Sequence, residues 1–140
     1  MLKKIFWALV GNFVLILGQL FIPAIGDSFK GSFLFLLPFA TFFLLGVILI
    51  LLTIKTQVKG KLKKFLLLTG FSSSGFFISV LLHNFLYGLG KITEHIVLLS
   101  YLLEALQVIF FIMAIFICPI GFLAGIVGSL LFINKRKDSN

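Results

Sequence analysis

Charged side chains are scarce in this sequence. They make up 11% of its 140 residues, against 61% hydrophobic residues, and acidic residues number only four. A soluble fold does not carry so much apolar surface under so few charges, so a soluble domain is excluded. Cysteine is nearly absent as well, because Cys118 stands alone. A disulfide scaffold and a two-cysteine redox relay are therefore excluded, and we expect Cys118 to be an inert, small packing residue.

Long uncharged runs are what the sequence has instead. Four of them, at residues 5–26, 31–54, 65–90 and 105–134, exceed the roughly 20 apolar residues that cross a bilayer core. They leave little chain for a water-filled enzyme cleft or a nucleic-acid-binding surface. The sequence therefore predicts an all-α integral membrane bundle of four transmembrane helices. We expect a single membrane domain over residues 1–140, with the lipid bilayer as partner and no cofactor, metal or nucleic acid.

The twelve basic residues are distributed unevenly, which predicts an orientation. Ten of them flank the same ends of the runs: Lys3, Lys4, Lys55, Lys59, Lys61, Lys63, Lys64, Lys135, Arg136 and Lys137. Because cytoplasmic loops of membrane proteins are enriched in Lys and Arg, we expect both termini and the 55–64 loop in the cytoplasm, at the cell (inner) membrane. Lys30 and Lys91 fall in the two outer connections. A fifth helix, made by splitting the last run at Pro119, would place residues 135–137 outside and is rejected.

The N-terminus has a second interpretation. Lys3 and Lys4, the apolar stretch after them and the small residues Ala24 and Gly26 resemble a signal peptide with a cleavage site. The stretch is longer than the usual hydrophobic region of a signal peptide and contains the polar residue Asn12. We therefore expect it to be retained as an uncleaved helix; cleavage would leave three spans and an outside N-terminus.

Prolines and turn residues set the expected helix bounds. The spans are predicted at 5–25, closed by Pro23, at 32–54, capped by Ser32 and bent at Pro38, at 65–89, and at 110–133, kinked at Pro119. A basic loop at 55–64 and a tail at 134–140 complete the chain. Residues 92–109 repeat polar and apolar residues at helical spacing. We expect this segment to be an amphipathic interfacial helix that lies along, or leans from, the outer surface before the last span.

Polar side chains on the first and third spans fall at matching depths. Counted from the cytoplasmic lysines, Asn12 and Ser72 are both about 12 Å in, and Gln19 and Ser79 are both about 22 Å in. Hydrogen bonds between Asn12 and Ser72 and between Gln19 and Ser79, across two packed helices, are the favoured interpretation. The alternative is that the same four groups line a polar translocation path. No charged group accompanies them at those depths, which favours packing.

The last span carries small residues at a spacing typical of close helix contact. Gly121, Gly125 and Ser129 recur every four residues, and this pattern lets two backbones approach. The sequence leaves open whether the partner is another helix of the chain or a second copy of the protein.

Four ionisable residues fall at the expected outer level: His83, Glu94, His95 and Glu104. Two imidazoles and two carboxylates suit a divalent metal or a proton relay. Their spacing fits no established motif, so the favoured interpretation is interfacial hydrogen bonding to headgroups, water or each other. A bis-histidine haem site is less favoured still, because both histidines are expected at the membrane edge.

The basic loop also has two interpretations. Lys55, Lys59, Lys61, Lys63 and Lys64 are expected to fix the topology, with contact to anionic lipid as a by-product. The segments KGKLKKFLLLTG at 59–70, LLHNF at 81–85 and CPIG at 118–121 resemble small uncharacterised prokaryotic membrane proteins of four helices. This resemblance covers most of the chain. It implies a bacterial or archaeal inner-membrane protein, with no activity to carry over.

Two classes of function remain open. We expect a non-enzymatic structural or accessory subunit, which packs against itself as a homo-oligomer or against a larger membrane complex. This expectation rests on the small-residue face of the last span and on the lack of any deep charge. The alternative is a small oligomeric transporter or exporter that uses the polar stripe of the first and third spans. A metal-dependent membrane enzyme ranks third, and the protein is predicted not to be an enzyme.

Overall fold

The computed structural model describes residues 1–29 and 31–135, with side chains up to Ile133. Lys30 and the basic residues of the 134–140 tail lie outside the described residues or side chains. The described chain forms six α-helices: α1 (Leu2–Phe21), α2 (Pro23–Phe29), α3 (Leu37–Lys55), α4 (Gly60–Ile92), α5 (Val97–Ile112) and α6 (Cys118–Lys135). A short 3-10 helix, Phe33–Phe35, precedes α3, and a π-helical segment, Met113–Ile117, joins α5 to α6.

Four stretches of this structure are long and apolar enough to cross a membrane. They are Leu2–Phe21, Phe33–Lys55, Gly60–Ile92 and Val97–Ile133. The prediction of an all-helical chain with four candidate spans is therefore confirmed over the described residues.

The third candidate span, α4, is the central helix. It packs against α3 on one side and against α5, the π-helical segment and α6 on the other, whereas α1 packs mainly on α3. Phenylalanines close the remaining space between α1 and α6: the ring centroids of Phe13 and Phe122 are 4.7 Å apart, and those of Phe42 and Phe122 are 4.9 Å apart. The core thus lies where α1, α3, α4 and α6 converge.

The prolines act at helix ends more than expected. Pro23 follows the end of α1, as predicted, but it also opens the short helix α2 where we expected a loop. Pro38 lies in the first turn of α3, where a missing N–H leaves no helical hydrogen bond unmade. The predicted bend at Pro38 within the span is therefore wrong, because Pro38 starts the helix instead. Ser32 does act as a cap, because its hydroxyl accepts a hydrogen bond from the Leu34 N–H at 3.2 Å.

Pro119 is accommodated by the π-helical segment before it. Proline has no N–H to donate, and its ring clashes with the carbonyl group four residues earlier. Here Met113–Ile117 is wound as a π-helix, and the Cys118 N–H donates to the Met113 carbonyl, five residues back. The wider turn lets the helix continue past Pro119, so α5 and α6 form one continuous rod.

This rod changes the account of residues 92–109. Ile92 ends α4, a turn follows, and α5 begins only at Val97. The apolar face of α5 packs on α4, with Leu103 buried next to Gly90, so the segment is not a helix separate from the last span. The rod's first helix, α5, packs on α4 and makes no extensive contact with α1 or α3. We call the end of the α4–α5 hairpin, residues 83–109, the hairpin tip.

Candidate functional site

Helices α3 and α4 make a close backbone contact that the sequence did not predict. Gly46 of α3 and Gly70 of α4 face each other, and a Cβ at either position would meet the other's carbonyl oxygen at 3.0 Å. Ser73 and Ser74 lie against the same glycine, Gly46. The Ser73 hydroxyl donates to the Gly70 carbonyl at 3.0 Å, whereas the buried Ser74 Oγ has no hydrogen-bond partner among the described residues. Small side chains therefore bring the two helices together.

The α6 side of α4 uses the predicted small-residue face. A Cβ at Gly121 would lie 2.5 Å from Ser72 Oγ, and one at Gly125 would lie 2.8 Å from the Thr69 backbone nitrogen. Ser129, one helical turn further on, is fully buried. The partner of this face, left open by the sequence, is thus α4 of the same chain. The face is occupied within one molecule, which removes it as an argument for a dimer.

The two amides of α1 bond to α3 and the turn before it, not to α4. Asn12 Nδ2 donates to the Pro38 carbonyl oxygen at 2.8 Å, and Gln19 Nε2 donates to the Phe35 carbonyl oxygen at 3.0 Å. The predicted pairings of Asn12 with Ser72 and of Gln19 with Ser79 are therefore not formed. Because α1 packs mainly on α3, amides at the expected height face a different helix.

The four residues of the predicted polar stripe consequently lie in two separate helix interfaces. Asn12 and Gln19 belong to the contact between α1 and α3, whereas Ser72 and Ser79 lie between α4 and α6. Ser79 is buried and lies near the Cys118 side chain at the start of α6. The structure does not bring these four side chains together into one lining.

The outer ionisable residues are likewise dispersed. His83 Nδ1 lies 3.1 Å from the Gln107 carbonyl oxygen, and its ring packs against Phe111 with centroids 5.3 Å apart. A carbonyl oxygen only accepts, so Nδ1 carries the proton. Glu94 pairs with Lys91 at 2.9 Å instead. Among the described residues no three His, Cys, Asp or Glu side chains are grouped to hold a metal ion, and both His95 and Glu104 are exposed.

An apolar cavity of about 460 Å³ lies between α1, α4 and the π-helical segment. Its walls are hydrophobic apart from Ser72 and Cys118, and they include the core residues Phe13, Phe42 and Phe122. Such a cavity offers mainly a hydrocarbon surface.

The segment predicted as a basic loop, 55–64, is the most strongly charged region of the described chain, but only residues 56–59 lie between helices, because α4 begins at Gly60. Lys55 ends α3, Lys59 precedes α4, and Lys61, Lys63 and Lys64 fall in the first turns of α4. The connection is tight, with left-handed backbone at Gln57 (φ 49°) and Gly60 (φ 71°). Two cavities, of about 470 and 430 Å³, adjoin Lys61 and Phe132 at this end. Charge and shape therefore coincide here, which the sequence alone did not show.

No protein-family model, curated protein or solved structure matches this chain. The resemblance to small prokaryotic membrane proteins of four helices stays a prediction.

Proposed function

We propose that this protein is a non-enzymatic accessory subunit of a membrane complex, which contacts a second membrane protein through its hairpin tip. In this proposal the four candidate spans cross a cell membrane, both termini and the 55–64 loop lie in the cytoplasm, and the tip lies at the outer surface. The observation that carries the proposal is the length of the rod formed by α5, the π-helical segment and α6.

The rod is too long to be accommodated in the hydrocarbon core by tilting. The last candidate span has 37 residues, about 55 Å of helix against a hydrocarbon thickness of about 30 Å, whereas the 33 residues of α4 include 60–64 in the basic cytoplasmic segment. Even a tilt of about 40°, the upper end of what is observed, accommodates only about 26 residues. About ten residues of the rod must therefore lie beyond the hydrocarbon core, as proposed for the amphipathic segment at 92–109.

The surface of the tip is apolar where water would meet it. Leu98 is 83% exposed and Leu102 is 56% exposed, and Tyr87 and Tyr101 are also exposed. Aromatic and large apolar side chains are enriched at the centres of protein interfaces, and Tyr is also enriched at membrane interfaces. Within the described chain, α5 packs on α4 and is not covered by α1, α2 or α3. A second membrane protein of matching apolar surface would cover it.

The test is the native mass of the protein, extracted in mild detergent at natural abundance, with identification of the proteins that travel with it. The variant Leu98→Ala with Leu102→Ala shortens two exposed leucine side chains of the hairpin tip. The matched control, Leu44→Ala with Leu51→Ala, truncates two leucines of α3 that are 57% and 60% exposed. We expect a discrete complex that survives the control and is lost in the tip variant.

A complex that persists in both variants would contradict the role of the tip. A discrete homo-oligomer that holds no other protein would contradict the accessory role and favour the alternative, a small oligomeric transporter. In that case the variant Asn12→Leu with Gln19→Leu decides, since loss of flux with intact folding would support the transport alternative.

A further inference from the structure

The basic end of the bundle has a notch with a charged rim and an apolar floor. The cavity of about 430 Å³ between the start of α4 and the end of α6 is lined by Lys61 and Lys64 and by Phe65, Leu68 and Phe132. The two lysines are three residues apart on one helix, so they share a face. The apolar residues Phe65 and Leu68 follow one turn deeper along α4. Charge and hydrocarbon are therefore arranged in the order in which a phospholipid presents them.

The aromatic floor is held in place by its packing. Phe65 stacks on Phe132, with ring centroids 5.7 Å apart and planes 14° from parallel. The Phe65 ring also lies against Gly128, where there is no room for a Cβ. Lys61 Nζ lies 5.9 Å from the centroid of the Phe132 ring, within the range of a cation–π contact. The same ring therefore forms part of the floor and positions the ammonium group of the rim.

We propose that this notch binds one anionic phospholipid of the inner leaflet. The phosphate lies against the ammonium groups of Lys61 and Lys64, and one acyl chain lies against Phe65, Leu68 and Phe132. The inference rests on the proposed membrane insertion and orientation, which place these lysines at the headgroup level. It goes beyond general attraction between a basic loop and an acidic membrane, because it assigns one lipid to one place.

A lipid fits the notch better than a free phosphate ion does. Both lysines are exposed, and an exposed pair holds a small anion weakly because water and salt screen it. The floor adds apolar contact that only a molecule with a hydrocarbon chain can use. The charge of the rim selects an anionic headgroup over a zwitterionic one.

The experiment measures the affinity of the purified full-length protein in detergent for phosphatidylglycerol, with phosphatidylcholine of the same acyl chains and inorganic phosphate as comparisons. The test variant is Lys61→Gln with Lys64→Gln. The matched control is Lys55→Gln with Lys63→Gln. It removes the same charge from the same region, at two residues that line neither cavity at this end. A third variant, Leu68→Phe, keeps every charge and fills the notch.

We expect phosphatidylglycerol to bind with a stoichiometry of one and the test variant to bind it on the order of thirty-fold more weakly, since each basic residue contributes about fivefold. The control should change affinity by less than about threefold, and Leu68→Phe should weaken binding despite its intact charge. Equal losses in the two lysine variants, or equal binding of inorganic phosphate, would overturn the site. The hairpin tip lies at the other end of the molecule, so loss of the complex in the tip variant leaves this result unaffected.

Discussion

Gly46 of α3 and Gly70 of α4 face each other so closely that a Cβ on either residue would lie 3.0 Å from the carbonyl oxygen of the other. Real Cβ atoms rarely come so near, and backbone cannot give way as a flexible side chain can. The glycine pair therefore sets the distance between the central helix and α3, and with it the position of the serines beside them.

Substitution of this pair should destabilise the bundle. For Gly70→Ala we expect a loss of about 1–3 kcal/mol in the free energy of unfolding, the usual cost of overpacking a well-packed contact. The matched control is Gly88→Ala, on the same helix α4 but with open space around it. It should leave stability unchanged or slightly raised, because alanine favours a helix more than glycine does. Thermal unfolding in detergent measures both; equal effects would refute the close contact.

The small-residue face of α6 should matter for folding and not for self-association. In Gly125→Ala the added methyl group meets Thr69 of α4 within the same chain, so we expect reduced thermal stability, again by about 1–3 kcal/mol. The folded fraction should keep the native mass of the unmodified protein. A stable variant with a smaller native mass would show that this face joins two copies instead.

The amides of α1 should contribute through contacts with α3. Asn12→Leu removes the hydrogen bond to the Pro38 carbonyl and should cost about 1 kcal/mol of stability. Asn84→Leu is the control, since the Asn84 side chain donates only to the Val80 carbonyl of its own helix. If Asn84→Leu is as destabilising as Asn12→Leu, the bond between helices is not what stabilises the bundle.

The histidines should be dispensable for metal content. The double variant His83→Ala with His95→Ala should contain as much metal as the unmodified protein, measured by elemental analysis after purification, because the two side chains do not meet in a common site. His83→Ala alone should lower thermal stability slightly, since His83 bonds to Gln107 and packs on Phe111. A fall in the metal content of the double variant would contradict this prediction and support a metal site at the outer histidines.

The sequence predicts the number of candidate spans and their helical class better than it predicts which helices pack together. Uncharged runs of 22 residues or more are sufficient to predict four candidate spans, because length and hydropathy are local properties. Matching depths place Asn12 and Ser72 at one height but carry no information about rotation or helix order, so the predicted pairing fails. The Gly46–Gly70 contact was missed because two lone glycines, in separate spans, form no pattern within either one.

The rod from α5 to α6 shows a second limit. An amphipathic pattern predicts that residues 92–109 bury an apolar face, and Leu103 is indeed buried. The pattern does not distinguish a membrane surface from a neighbouring helix as the cover for that face. Pro119 predicts a kink in the last span; the structure shows that the helix continues through this position, with a π-helical segment before it.

The most direct test of the account is labelling of single introduced cysteines with a membrane-impermeant thiol reagent in intact cells. His95→Cys places a thiol in the hairpin tip, and Thr56→Cys places one in the basic loop; both positions are exposed. The native Cys118 is only 6% exposed, so the unmodified chain supplies the background. We predict that His95→Cys is labelled in intact cells and Thr56→Cys only after the membrane is opened. Labelling of Thr56→Cys in intact cells, with His95→Cys protected, would contradict the proposed orientation and place the tip in the cytoplasm.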